Sequence, residues 1–113
     1  AQVIHSVLSP GVVVYSGALV KDSVLLTDDV VMEGASVIRS IFDKRVTVSP
    51  ESSIGGITDS VKITMVGKNT RIPSGISVEP GAIVGTDVVA ADFTKATIQT
   101  GDYLQTRRLP YEI

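Results

Sequence analysis

The sequence predicts an all-β protein: a stacked solenoid of six-residue units, about four triangular coils followed by a non-repeating tail. Three observations carry this reading. Aliphatic residues return every sixth position along much of the chain, as in "IPSGISVEPGAIVG" at 72–85; a helix repeats near 3.6 and a strand at 2. Gly, Asn, Asp and Pro recur between them at constant phase. Val and Ile dominate the apolar residues while aromatics make up only 4 % of the chain, and such β-branched composition favours strands.

The elements follow in order. A first run of anchors reads Leu8, Val14, Val20, Leu26, Met32 and Ile38, with companions four positions later at Val12, Ala18, Val24, Val30, Ser36 and Phe42. The register then shortens around residues 38–42, Phe42 becomes the next anchor, and Val48 and Ile54 follow, with Val46 and Ser52 as companions. "GGITDSVKIT" breaks the period and reads as an excursion loop. A second run takes Val66, Ile72, Val78 and Val84, with Thr70, Ile76, Ala82 and Val88. Three positions after the anchors stand Gly11, Gly17, Ser23, Asp29 and Ala35, then Asn69, Gly75, Gly81 and Asp87. Gly, Asn and Asp accept positive φ at low cost, so these are the corners. Pro10, Pro50 and Pro80, each two after an anchor, enter corners where a fixed φ is useful. One hexad cannot bury its apolar edge alone, but stacked coils can. The division is a solenoid over 1–90 and a tail over 91–113. In the tail we expect a hairpin around Gly101-Asp102, and Tyr103, Leu104, Leu109 and Tyr111 docked on the last coil.

Composition excludes several functions. With 113 residues the chain is one domain, and a net charge of −2 argues against a nucleic-acid footprint. No cysteine is present, so there is no disulfide frame and no thiolate metal site, as in a cytoplasmic protein. There is no apolar run long enough to span a membrane, no signal peptide, no P-loop and no nucleophile elbow. The chain opens directly in strand-like sequence and reads as a piece of a larger protein.

Solenoid acyltransferases typically use a histidine base, and zinc solenoids need several histidines; here His5 is the only one, outside the ladder. Asp28-Asp29 reads as a solvated turn. The sequence therefore offers no catalytic and no metal-ligating set. Its cations are more informative. Arg39, Lys44 and Arg45 surround the shortened corner, and Lys68 and Arg71 follow the excursion loop. Coiling can bring such residues onto one face, where Lys and Arg suit a phosphorylated ligand. A solvated basic edge balanced by nearby acids is the simpler account from charge alone.

"VKDSVLLTDDVVMEGASVIRSIFDKRVTVSPESSIG" (20–55) and "ITMVGKNTRIPSGISV" (63–78) resemble, in this order, two segments of the C-terminal domain of glucose-1-phosphate adenylyltransferases, the ADP-glucose pyrophosphorylases. The resemblance covers roughly residues 6–85. It implies a left-handed parallel β-helix, an exception to the usual crossover hand. It also implies a regulatory and oligomerisation domain without catalysis. The N-terminal domain of such enzymes makes ADP-glucose and pyrophosphate from ATP and glucose 1-phosphate, using Mg2+, for glycogen or starch synthesis. No Gly-rich nucleotide motif of that kind stands in this chain, so no cofactor is expected in it. The implied partners are that catalytic domain, other subunits in a tetramer, and a phosphorylated metabolite effector. Lys44 in "FDK" and Lys68 in "VGKN" match lysines linked to activator binding in plant-type members, and Arg39 matches a basic residue before the first. Phe42 and Arg45 depart from the family pattern. Three alternatives stand beside this reading: the β-helix of another sugar nucleotidyltransferase of the mannose-1-phosphate guanylyltransferase type, a hexapeptide-repeat acyltransferase, and an assembly module without a ligand.

Overall fold

A computed structural model of the chain describes residues 1–55, 62–89, 92–93 and 96–105. Short strands alternate with corners, and no α-helix occurs among the described residues. The first coil holds β1 (Gln2–Ile4), β2 (Val7–Leu8) and β3 (Val13–Val14). The second holds β4 (Leu19–Lys21), β5 (Val24–Leu25) and β6 (Val30–Val31). The third holds β7 (Ser36–Ile38), β8 (Ser40–Phe42) and β9 (Thr47–Val48). The fourth holds β10 (Ser53–Ile54), β11 (Thr64–Val66) and β12 (Arg71–Ile72). Then come β13 (Ser77–Val78) and β14 (Ile83–Val84), and last β15 (Thr97–Ile98) and β16 (Tyr103–Leu104).

Each strand pairs in parallel with its counterpart in the neighbouring coils, on both sides inside the stack and on one side at the ends of a sheet, making three sheets. Sheet A runs β1-β4-β7-β10-β13-β15, sheet B runs β2-β5-β8-β11-β14-β16, and sheet C runs β3-β6-β9-β12. The architecture is thus a parallel β-solenoid of about five turns, somewhat more than the four expected. The difference lies in the tail. β15 and β16 add rungs to sheets A and B, pairing with β13 and β14. The hairpin expected at Gly101-Asp102 is instead a solenoid corner, with Gly101 at φ +87° and no pairing between β15 and β16. Leu104 packs against the core, whereas Tyr103 faces outward; Leu109 and Tyr111 lie outside the described residues.

The interior corrects the register of the first run. Val3, Val20, Val37 and Ile54 are paired through sheet A, and Leu8, Leu25, Phe42 and Val66 through sheet B. Each of the first three coils therefore has one five-residue side, Val3 to Leu8, Val20 to Leu25 and Val37 to Phe42, rather than a single short corner near residue 40. Leu25, Val31 and Val37 fill the core, and the expected anchors Leu26, Met32 and Ile38 are only partly buried flanks. The positive φ angles shift likewise: Asp22, Asp28 and Gly34 adopt them, not Ser23, Asp29 and Ala35. Those three residues turn inward and are buried. From Val66 onward the expected anchors are buried as read, and so are Thr70, Ile76, Ala82 and Val88.

Two forces hold the stack. Buried Val, Ile, Leu and Phe side chains form continuous interior columns, each worth about 1.5–3 kcal/mol before chain entropy is offset. At the corner between sheets A and B, a serine ladder supplies polar order. Ser6 Oγ accepts the Ser23 N–H and Ser23 Oγ accepts the Ser40 N–H, each at 3.1 Å. Each hydroxyl in turn donates to the carbonyl two residues back, at 2.8 Å. The corners thus satisfy backbone groups that strand pairing leaves over.

Candidate functional site

The corner between sheets B and C carries the cations that the coiling brings together. After β8 the chain turns through Asp43, Lys44 and Arg45; after β11 it turns through Gly67, Lys68 and Asn69. Phe42 pairs with Val66 and Val48 with Ile72, so the two turns are in register. Lys44 lies directly over Lys68, and Arg45 over Asn69, one rung (about 4.8 Å) apart. The Asn69 N–H donates to the Lys44 carbonyl at 3.0 Å, and Arg45 Nε donates to Asn69 Oδ1 at 2.7 Å. The Asp43 carboxylate accepts the Lys44 N–H at 2.7 Å. Arg45 and Asn69 both hold positive φ, 56° and 60°, which fixes where their side chains leave the backbone. Lys44, Arg45 and Lys68 are all exposed.

Arg71 stands in β12, exposed on the outer face of sheet C beside Thr47, three residues beyond Lys68. Arg39 does not join this edge. It occupies the corner between sheets A and B, one side of the prism away, where its guanidinium lies 4.0 Å from Asp22. His5 stacks on the same corner, its Nδ1 3.7 Å from Asp22, with most of its side chain in water. The basic edge is mixed in charge: Asp28 holds the corner position of Arg45 one coil above, Asp87 holds it two coils below, beyond Asn69, and Asp43 adjoins Lys44.

Beside Lys68 a groove of about 300 Å³ opens on the outer face of sheet B. Gly67 and Gly85 form its floor, with Met65, Ile83, Thr86 and Tyr103 around it. The glycine at 67 is required by crowding: a Cβ there would lie 2.6 Å from the Gly85 carbonyl carbon and the Thr86 nitrogen. The groove belongs to a longer feature that the sequence reading missed. Val7, Val24, Ile41, Met65, Ile83 and Tyr103 are paired in register across all six strands of sheet B and make one apolar stripe outside. The available signal was an apolar residue immediately before each interior anchor. Among the described residues no cluster of His, Asp and Glu is arranged to hold a metal ion, and no helix is long and apolar enough to cross a membrane.

The hexad coils and their corners define a class, the hexapeptide solenoids. The family model for the GlmU-like C-terminal hexapeptide matches residues 1–65, and the chain belongs to that family. Among named relatives it matches the C-terminal region of glucose-1-phosphate adenylyltransferases. It is 37 % identical to the enzyme of Thermomicrobium roseum over 93 residues, 73 % of this chain and 22 % of the relative. It is 28 % identical to that of Acetivibrio thermocellus over 106 residues, 85 % of this chain and 25 % of the relative. It is 37 % identical to that of Bifidobacterium adolescentis over 86 residues, 76 % and 20 %. The chain thus spans about a fifth to a quarter of the relatives it matches. Against the acetyltransferase domain of PglB from Neisseria gonorrhoeae the TM-score is 0.33 at 18 % identity, covering 94 % of this chain and 55 % of that one, too low to bear on function.

Proposed function

We propose that this solenoid is the regulatory and assembly part of a glucose-1-phosphate adenylyltransferase, an enzyme forming ADP-glucose and pyrophosphate from ATP and glucose 1-phosphate. The ADP-glucose would feed glycogen or starch synthesis in the cytoplasm. The observation that carries the regulatory reading is the stacking of Lys44 over Lys68 beside Arg45. Two lysines whose backbones are one rung apart can both reach one phosphate, and Arg45 offers further planar donors. Arg71 extends the positive edge, while Arg39 serves its own corner. An effector bound here acts by preferring one arrangement of solenoid and catalytic domain over another. The apolar stripe of sheet B is the surface we assign to contact with that domain, and the assembly is a tetramer. Mg2+ chemistry belongs to the catalytic domain; this chain takes no part in it. The GlmU-like family match favours one second reading, the solenoid of a different sugar nucleotidyltransferase.

The test uses the full enzyme with Lys44→Ala and Lys68→Ala. Titration with 3-phosphoglycerate, fructose 1,6-bisphosphate and inorganic phosphate should show the half-saturating effector concentration raised about tenfold, or ~1.4 kcal/mol, with unstimulated turnover unchanged. An identical response in variants and wild type rejects the assignment.

A further inference from the structure

At the inner position of the B–C corner, successive coils place Val12, Asp29, Val46, Thr70 and Val88 one above the other. One carboxyl stands in a column otherwise of valine and threonine. Asp29 is 0 % exposed. Its Oδ1 accepts the Val46 N–H at 2.8 Å, and its Oδ2 is buried with no partner. An ionised carboxylate carries two acceptor oxygens that both need donors, and an unsatisfied buried charge is costly. A neutral carboxyl, which leaves one O–H without an acceptor, costs less at this position than a charge.

We infer that Asp29 is a proton-operated latch on the corner that carries Lys44 and Arg45: neutral, it closes the corner through Val46; ionised, it drives the corner open to water. The groups around it reinforce the bias. Burial is the main cause that raises its pKa, to about 7, against the lowering effect of the backbone at Val46 and Leu26. Asp43 on the coil below and Asp28 beside it in sequence add like-charge repulsion. Lys44 and Arg45 flank the same turn but point into solvent, and the corner above, Ser9 to Val12, has no titratable side chain. Thr70, which replaces the carboxyl two coils below, satisfies its corner without charge: its hydroxyl donates to the Gly85 carbonyl at 2.7 Å and accepts the Val88 N–H at 3.3 Å.

The sign of the pH dependence follows from the two states. Unfolded, Asp29 releases its proton near 3.8; folded, near 7. Between these values the unfolded chain binds fewer protons, so rising pH favours unfolding by up to about tenfold per pH unit. Above about pH 7 both states are ionised and this contribution levels off. The experiment compares chemical denaturation of the whole chain with Asp29→Asn and Asp29→Val from pH 4 to 8.5. We expect the wild type to lose stability relative to both variants as pH rises from about 4 to 7, and the difference then to stay constant. Amide exchange at Val46 and Arg45 should rise over the same interval in the wild type, beyond the intrinsic base-catalysed rate, and not in Asp29→Val. Denaturation curves that keep a constant separation at all pH values, or corner amides that exchange alike in wild type and Asp29→Val, overturn the inference. The effector titrations with the Lys44 and Lys68 variants test a different claim and leave this one untouched.

Discussion

Ile41 and Phe42 are neighbours in β8 with opposite fates. Phe42 is fully buried in the interior column, and Ile41 lies on the outer face of sheet B. The pleat accounts for this, since successive side chains point to opposite faces. The energetic consequence is large: Phe42→Ala should cost about 3–5 kcal/mol, as a lost aromatic leaves a cavity between rungs. Ile41→Ala should cost under about 1 kcal/mol. Urea unfolding of both variants measures the difference directly; equal losses would mean that the face assignment of β8 is wrong. The interior takes Phe42 between Leu25 and Val66, where volume rather than shape is the first requirement.

At the scale of the element, the period of six was legible because each hexad needs one inward aliphatic side chain and one turn. The register between Val20 and Phe42 was not, for a specific reason. Leu25-Leu26, Val31-Met32 and Val37-Ile38 are apolar doublets, so hydropathy alone does not say which member faces in. The corner residues held the answer: Gly34, not Ala35, is the natural occupant of a left-handed angle, and it sits at φ +70°. Doublets also mark an apolar exterior, and this is why the stripe on sheet B escaped notice. The Lys44–Lys68 stack was equally hidden. Two coil-mates are normally 17 residues apart here, but the excursion between β10 and β11 separates these by 24. Coiling made it possible for the two groups of cations to converge but did not give their register; the resemblance matched Lys44 and Lys68, and both readings also took in Arg39, which belongs to another corner. For the stripe we expect Met65→Lys to leave stability within about 0.5 kcal/mol, because the position is exposed. In the full enzyme the same change should weaken the fit between solenoid and catalytic domain. Unaltered domain association by limited proteolysis would remove the stripe from that role.

The molecule as a whole is a one-dimensional stack in which each coil touches only its neighbours. Its two ends differ. At the first coil Val3, Leu8 and Val13 remain exposed, and β1, β2 and β3 each have a partner on one side only. Toward the other end, β15 and β16 extend sheets A and B past the repeat. Unpaired strand edges of this kind invite further pairing. The groove reaches β16, the last strand of sheet B, through Tyr103, and Arg71 stands on β12, the last strand of sheet C, so both features extend to that end of the stack.

A step of twelve residues from Ile54 to Val66 replaces the step of five found in the first three coils, yet Thr64, Met65 and Val66 stay in register with Ser40, Ile41 and Phe42. The seam between two walls therefore takes extra length while the rungs after it keep their register. Cutting seven residues from this seam should give a shorter protein with the same cross-section and an unchanged circular-dichroism spectrum. Such a seam is also the natural port for a foreign peptide, because the thread re-enters the weave at a fixed place however long it has been away.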